Sequence, residues 1–247
     1  MTLALFVPLL LLSASTPEAG TGPSGSTFAP EACGKSPAAS CEEARAFVER
    51  MKGAPCLVAF KAARLLYLFK DGKPVERTVD LKSNDPLIRT SVPTRIRFPV
   101  PMALSTQSVG HKLRQGDAHT PEGEYSICDR IAGSEYTFFL SLSFPSQRDV
   151  DAAVREKRFD KAALDRVKRS QRPGSCPDFN SALGGSVGIH GAPTGMAKAI
   201  AAIESRDPES INVTEADWTL GCLGLENRHI RFLAKEVKVG TKVLIVP

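Results

Sequence analysis

Residues 217–230 read DWTLGCLGLENRHI. A cysteine, Cys222, follows Gly221 directly, with Leu223-Gly224 behind it and a helical pattern starting near Asn227. It can be read as a working thiolate, as half of a disulfide, or as a small buried hydrophobe. Which reading holds decides what the rest of the chain is folded around.

With 247 residues and 42% hydrophobic content, the chain can bury a sizeable core, as one large domain or one domain plus an appendage. A formal charge of +5 is mildly basic and fits plain solubility as well as an anionic partner. Aromatics make up 6% and do not interleave with basic residues, so nucleic-acid binding has no support. Leu3 to Leu12 form an apolar run too short to span a bilayer, followed by Ser13, Ala14 and Ser15. Residues 1–19 are therefore expected to be a secretory signal peptide, although its start carries no Lys or Arg; an uncleaved anchor is the alternative. No other segment is long and apolar enough to cross a membrane, so no stable span is expected once the signal is cleaved.

Export would place the cysteines in an oxidising compartment. There are six: Cys33, Cys41, Cys56, Cys128, Cys176 and Cys222. An even count permits three bridges, whereas one reactive thiol leaves five and at most two pairs. Counting does not choose between these.

Residues 15–30 are rich in Ser, Thr, Gly and Pro and read as a tether. Ala44, Phe47, Val48 and Met51 then recur at helical spacing over residues 41–53, flanked by Cys33, Cys41 and Cys56, where a local disulfide fits. Residues 20–60 are thus expected to form a flexible linker with a short helix, and 61–247 the main domain. In the latter, Arg64–Phe69, Asp71-Gly72 and Val75–Leu81 carry a hairpin signal, since Asp-Gly suits a type I′ turn. Further strands are expected at Gly123–Cys128, Tyr136–Phe144, Ser186–His190 and Thr241–Val246. Helices are expected over residues 148–172, Gly195–Ser205 and Asn227–Val237, with Asn227 as an N-cap. The basic residues of 148–172 read as a solvated face, contact with an anionic wall polymer being the alternative. The fold class is mixed α/β, β-rich, with helices decorating the core.

Four segments stand out together: 116-GDAHTPEGEYSI-127, 186-SVGIHGAPTG-195, 217-DWTLGCLGLENRHI-230 and 239-VGTKVLIVP-247. A nucleophilic cysteine needs a base, usually imidazole, held in one tautomer by a carboxylate or carbonyl. It also needs N–H donors for the oxyanion, which a glycine beside it helps to turn inward. Gly221-Cys222 and His190-Gly191 offer these parts. The other histidines fit less well: His229 looks helical, His111 lies in a basic loop and His119 lies in the Thr-Pro turn. A zinc site from Cys222, His190 and His229 lacks paired-ligand spacing.

His before Cys excludes papain-like and NlpC/P60-like order. Thr219-Leu220-Gly221-Cys222 also lacks the second Thr of the sortase pattern. The chain does resemble the YkuD-type L,D-transpeptidases, whose site reads His-Gly, an intervening stretch, then Ser/Thr-x-Gly-Cys. Gly116 to Tyr125 resembles that family's Gly-Asp…Thr-Pro-x-Gly-x-Tyr segment, and Gly240 to Val243 its closing strand. Phe144-Pro145 and Asp217-Trp218-Thr219 resemble the YafK-like branch in particular.

The resemblance implies a YkuD-like β-sandwich core with helical insertions. Cys222 would be the nucleophile and His190 the general base. Gly191 would orient the imidazole through its carbonyl, the Gly221 and Cys222 amides would form the oxyanion hole, and Thr219 would stand beside the site. Leu220 and Gly224 replace side chains that many members carry around the cysteine, so these positions and Trp218 are expected to shape substrate binding. Trp218 also reads as a core or cleft-wall anchor and Asp217 as a surface or capping acid. Asp117, Thr120 and Gly123 read as turn-formers, and Cys128 as a buried thiol, with pairing to Cys176 as the alternative.

The implied substrate is the peptidoglycan stem peptide, handled in the periplasm or cell envelope, with no metal or organic cofactor. Transfer to an amine would cross-link the wall or attach an envelope protein. The alternatives are a YafK-like hydrolase releasing wall-linked peptide or protein, and a non-catalytic wall-binding module.

Overall fold

A computed structural model describes residues 28, 30–80, 93–170, 175–178, 180–197, 199 and 213–247. The expected signal segment, nearly all of the tether, Leu81 and the later part of the helix expected over Gly195–Ser205 lie outside these residues.

The first strand, β1 (Cys56–Phe60), explains how the fold is layered. Its sequence CLVAF is apolar throughout and every residue is buried. Such a run suits a strand covered on both faces. It lies between β2 (Leu65–Lys70), antiparallel, and β11 (Lys242–Val246), parallel. Side chains alternate along these strands. Leu57, Ala59, Leu66, Leu68, Val243 and Ile245 face the main core. Cys56, Val58, Phe60, Tyr67, Phe69, Leu244 and Val246 face a second core, shared with Phe28, Ala32, Cys41, Ala44, Phe47 and Val48.

That second core is roofed by two helices, α1 (Pro30–Lys35) and α2 (Ala38–Arg50), stapled by a Cys33–Cys41 disulfide. Fully burying a side chain such as Phe47 or Phe60 stabilises by roughly 2–3 kcal/mol. The described part of residues 20–60 therefore covers a sheet face, and its last five residues are a central strand.

The sheet continues from β11 to β7 (Gly123–Ala132), β8 (Phe138–Leu142), β9 (Gly188–His190) and β10 (Leu223–Gly224). Where β7 pairs with β8, the register shifts between Ile127 and Asp129. On the far side, β6 (Val100–Pro101) pairs with β2, and Ala103 bridges to Gly224 in β10. The sandwich is thus one sheet curled back on itself, mixed with helices as expected. Asp71 and Gly72, at φ of 53° and 71°, form the expected left-handed turn. The strand after it, β3, stops at Lys73–Pro74, and the chain then pairs β4 (Glu76–Asp80) with β5 (Pro93–Arg97).

Two expectations need correction here. The single helix over residues 148–172 is two helices, α3 (Gln147–Arg155) and α4 (Lys161–Ser170). Lys157 has a left-handed φ of 51°, which ends the first, and the Asp160 carboxylate accepts from the Ala163 amide to start the second. Cys128 is no free thiol but is bonded to Cys176. The last helix, α5 (Asn227–Glu236), packs Ile230, Phe232, Leu233 and Ala234 into the main core.

Candidate active site

Cys222 and His190 come to one cleft because β9 and β10 are parallel neighbours: Leu223 pairs with Ile189 and Gly224 with His190. Cys222 directly precedes the short strand, and both residues line one cleft of about 660 Å³.

His190 is buried and held on several sides. Phe139, its cross-strand partner, stacks on the imidazole with centroids 5.3 Å apart and planes 9° apart. Gly188 makes room for that ring, since a Cβ there would lie 2.4 Å from it. Tyr136 lies at 4.4 Å and Trp218 edge-on at 5.4 Å. His190 Nδ1 is 2.8 Å from the Gly191 carbonyl oxygen. A carbonyl only accepts, so Nδ1 carries the proton and Nε2 keeps its lone pair.

Gly191 is itself wedged, because a Cβ there would meet Asn227 Oδ1 at 2.5 Å and the Tyr136 carbonyl at 2.9 Å. Asn227 is not an N-cap; Glu226 holds that place without a side-chain bond. The Asn227 amide oxygen instead accepts from the Ala192 N–H at 3.0 Å and the Thr137 hydroxyl at 3.1 Å. It thereby fixes the turn that leaves His190.

On the thiol side, Gly221 has a φ of +120°, a conformation that favours glycine. The Cys222 thiol donates to the Ser186 carbonyl at 3.6 Å. Thr219 Oγ1 donates to the Cys222 carbonyl at 2.9 Å, while the Gly221 amide reaches that hydroxyl oxygen only at 3.4 Å. Burial pushes the thiol up to about 11, against the Gly188 backbone and the Lys112 charge, which pull it down. Burial likewise drives His190 down to about 4, opposed by the Gly191 carbonyl and by Glu135. At neutral pH the resting pair is thiol and neutral imidazole, an arrangement that suits base-assisted attack.

Asp217 is not a loose surface acid. It forms an ion pair with Arg64 and accepts from the Leu104 amide at 3.1 Å, while the Trp218 and Thr219 amides donate to the Leu104 carbonyl. Trp218 is a cleft wall whose indole N–H donates to Val213 at 2.7 Å. Leu220 stands 85% exposed at the cleft rim. Gly224 is elsewhere: it lies buried beneath Trp218, whose ring is 2.6 Å from where a Cβ would be, and it does not line the cleft.

The Gly116–Gly123 segment is the floor beside Gly221. The Asp117 carboxylate accepts from the amides of Leu113, Arg114 and His119 and from Lys112. Buried Lys61 ties the loop to the end of β1, donating to the carbonyls of Gly110 and Thr120 and to Glu122. Sequence reasoning missed Lys61, Lys112, Tyr136, Phe139 and Asn227. A lysine five residues before the Gly-Asp aspartate was the readable hint for Lys112; strand pairing and long-range contacts that no local pattern encodes place the rest.

Comparison of the sequence with curated proteins finds no match. Among solved structures, the chain is similar to the helical cell shape determining protein Pgp2 from Campylobacter jejuni, at 16% identity and a TM-score of 0.40. The match covers 77% of this chain and 46% of that one. Bd1075 from Bdellovibrio bacteriovorus gives 17% identity and a TM-score of 0.38, covering 77% and 47%. L,D-transpeptidase 3 from Mycobacterium tuberculosis gives 11% and 0.37, covering 78% and 61%. This chain thus spans less than two thirds of the length of each. The family model of the L,D-transpeptidase catalytic domain, YkuD, matches residues 56–245, most of the sequence, and the chain belongs to that family.

Proposed function

We propose that the protein is a cysteine L,D-transpeptidase that acts outside the cytoplasm, in the periplasm or cell envelope, on peptidoglycan stem peptides. The observation that carries the reading is the placement in one cleft of Cys222, directly before β10, and a tautomer-fixed His190 at the end of the neighbouring β9. His190 Nε2 takes the thiol proton as Cys222 Sγ attacks the carbonyl preceding a D-amino acid. The Gly221 and Cys222 amides receive the oxyanion, the long Gly221–Thr219 contact giving way to the stronger acceptor. Collapse expels the D-amino acid, whose amine takes the proton from Nε2, and leaves an acyl-thioester on Cys222. An acceptor amine then gives its proton to Nε2, attacks the thioester carbonyl and frees the sulfur, which regains the proton. Trp218, Leu220 and Tyr136 wall the cleft where the donor lies.

The test is incubation of the full chain with intact sacculi, followed by muropeptide analysis. New L,D cross-links, absent with Cys222→Ser or His190→Ala, are the expected result. Loss of D-alanine or release of linked protein without cross-links would identify a hydrolase instead. Unchanged turnover in the Cys222→Ser variant would overturn the mechanism.

A further inference from the structure

We propose that Lys112 is a specificity-determining residue of the cleft, taking a carboxylate of the acyl donor that lies within one residue of the scissile carbonyl. This rests on the acyl-transfer reading above. Lys112 and Glu135 are the charged side chains that line the cleft among the described residues. Lys112 is only 4% exposed. Its stem runs past Gly184, where a Cβ would lie 2.8 Å from Lys112 Cε, so a glycine there is what admits it.

An ammonium has three N–H donors. Two are directed at Asp117 Oδ1, 2.8 Å away, and at the Arg114 carbonyl, 3.1 Å away. The third remains for an acceptor in the cleft. Asp117 is the ion-pair partner of Lys112, and the same carboxylate also accepts from three backbone amides, which fixes the ammonium in place. A nearly buried ammonium with one donor to spare offers a carboxylate a charge-assisted hydrogen bond. The charge of Lys112 acts on Cys222 and that of Glu135 on His190.

The carboxylate has two possible sources: the α-carboxylate of the departing amino acid, or a side-chain carboxylate of the residue that donates the acyl group. Three disaccharide-tetrapeptides separate them: one with both carboxylates free, one amidated at its terminus, one amidated on the side chain of the donating residue. Binding to the full chain carrying Cys222→Ala is measured by calorimetry, and turnover with Cys222 intact. One amidation is expected to weaken binding roughly ten- to hundredfold, and which one identifies the source. Lys112→Met should weaken the free-acid peptide by a similar factor and erase the discrimination, while Lys112→Arg keeps part of it.

Equal weakening of all three peptides in Lys112→Met, or indifference of the Cys222→Ala chain to both amidations, overturns the proposal; the latter comparison needs no change at Lys112. A carboxylate preference without turnover would sink the acyl-transfer reading and leave Lys112 standing. Turnover without preference would do the reverse.

Discussion

Gly221 lies against the backbone of His119: a methyl group on its Cα would sit 2.5 Å from the His119 carbonyl oxygen. Gly221, the residue before Cys222, is thereby keyed to a loop a hundred positions upstream. That loop is folded by Asp117 from inside and held by Lys61, the residue after β1. The Gly-Asp…Thr-Pro segment and the Gly-Cys pair are one structural unit, which explains why two glycine-rich turns so far apart belong to one site.

Gly221→Ala should therefore damage the site twice, through the contact and through the φ of +120°. We expect a loss of about 1–3 kcal/mol in stability. If Cys222 is the proposed nucleophile, turnover should fall at least about a hundredfold, since a shift of an ångström there is enough. Denaturant unfolding alongside turnover of a tetrapeptide donor checks both, and near-native activity would refute the keying.

The neutral thiol–imidazole pair makes a pH prediction. His190 titrates near 4 and Cys222 near 11, so kcat/KM should hold level through the neutral range and fall as His190 protonates near pH 4. An inflection near 6.5, the ordinary imidazole value, would contradict it. Stability follows the same group. Between pH 6.5 and 4 the unfolded chain binds a proton that buried His190 refuses, so stability falls as the pH drops through that window. The loss approaches on the order of 3 kcal/mol. Slow alkylation of Cys222 at neutral pH is expected from its raised value and does not by itself indicate a non-catalytic module.

The parts of the candidate site that the sequence displays are local words. His190-Gly191, Gly221-Cys222 and the Thr-Pro-Glu-Gly turn each bring their own backbone chemistry. The strands were legible where apolar runs were long, as at Leu65–Lys70 and Lys242–Val246. What escaped depends on strand pairing and on distant contacts. Phe139 reaches His190 through register, and Asn227 looked like a cap because helix-start preference is local while its partners, Ala192 and Thr137, are not. The outer core was missed for a similar reason: Cys56 to Phe60 carries no alternation, so nothing in it announced two covered faces.

The cysteine pattern yields a count. With Cys33–Cys41 and Cys128–Cys176 bonded, Cys222 and buried Cys56 are the free thiols. Alkylation of the unreduced native protein at pH 9 should modify Cys222 alone, and denaturation without reductant should add Cys56. Peptide mass mapping reads the result. A third labelled cysteine in the denatured, unreduced chain would show that one of the two bridges does not form.

Asn227 gives a test of positioning without contact to substrate. Its amide oxygen is the shared acceptor for the Ala192 amide and the Thr137 hydroxyl, and it abuts Gly191, whose carbonyl sets the His190 tautomer. Asn227→Ala leaves those donors without their acceptor and opens space beside Gly191. The expected cost is about 1–3 kcal/mol in stability. If the residue acts only through stability, kcat at a temperature where the variant is fully folded should equal that of the native chain. If it holds the imidazole, kcat should fall roughly ten- to hundredfold while KM stays level, because the geometry of proton transfer is lost rather than the binding surface. Asn227→Asp keeps an acceptor oxygen in place and should recover most of that kcat. An Asp variant as slow as the Ala variant would show that the acceptor is not what positions His190.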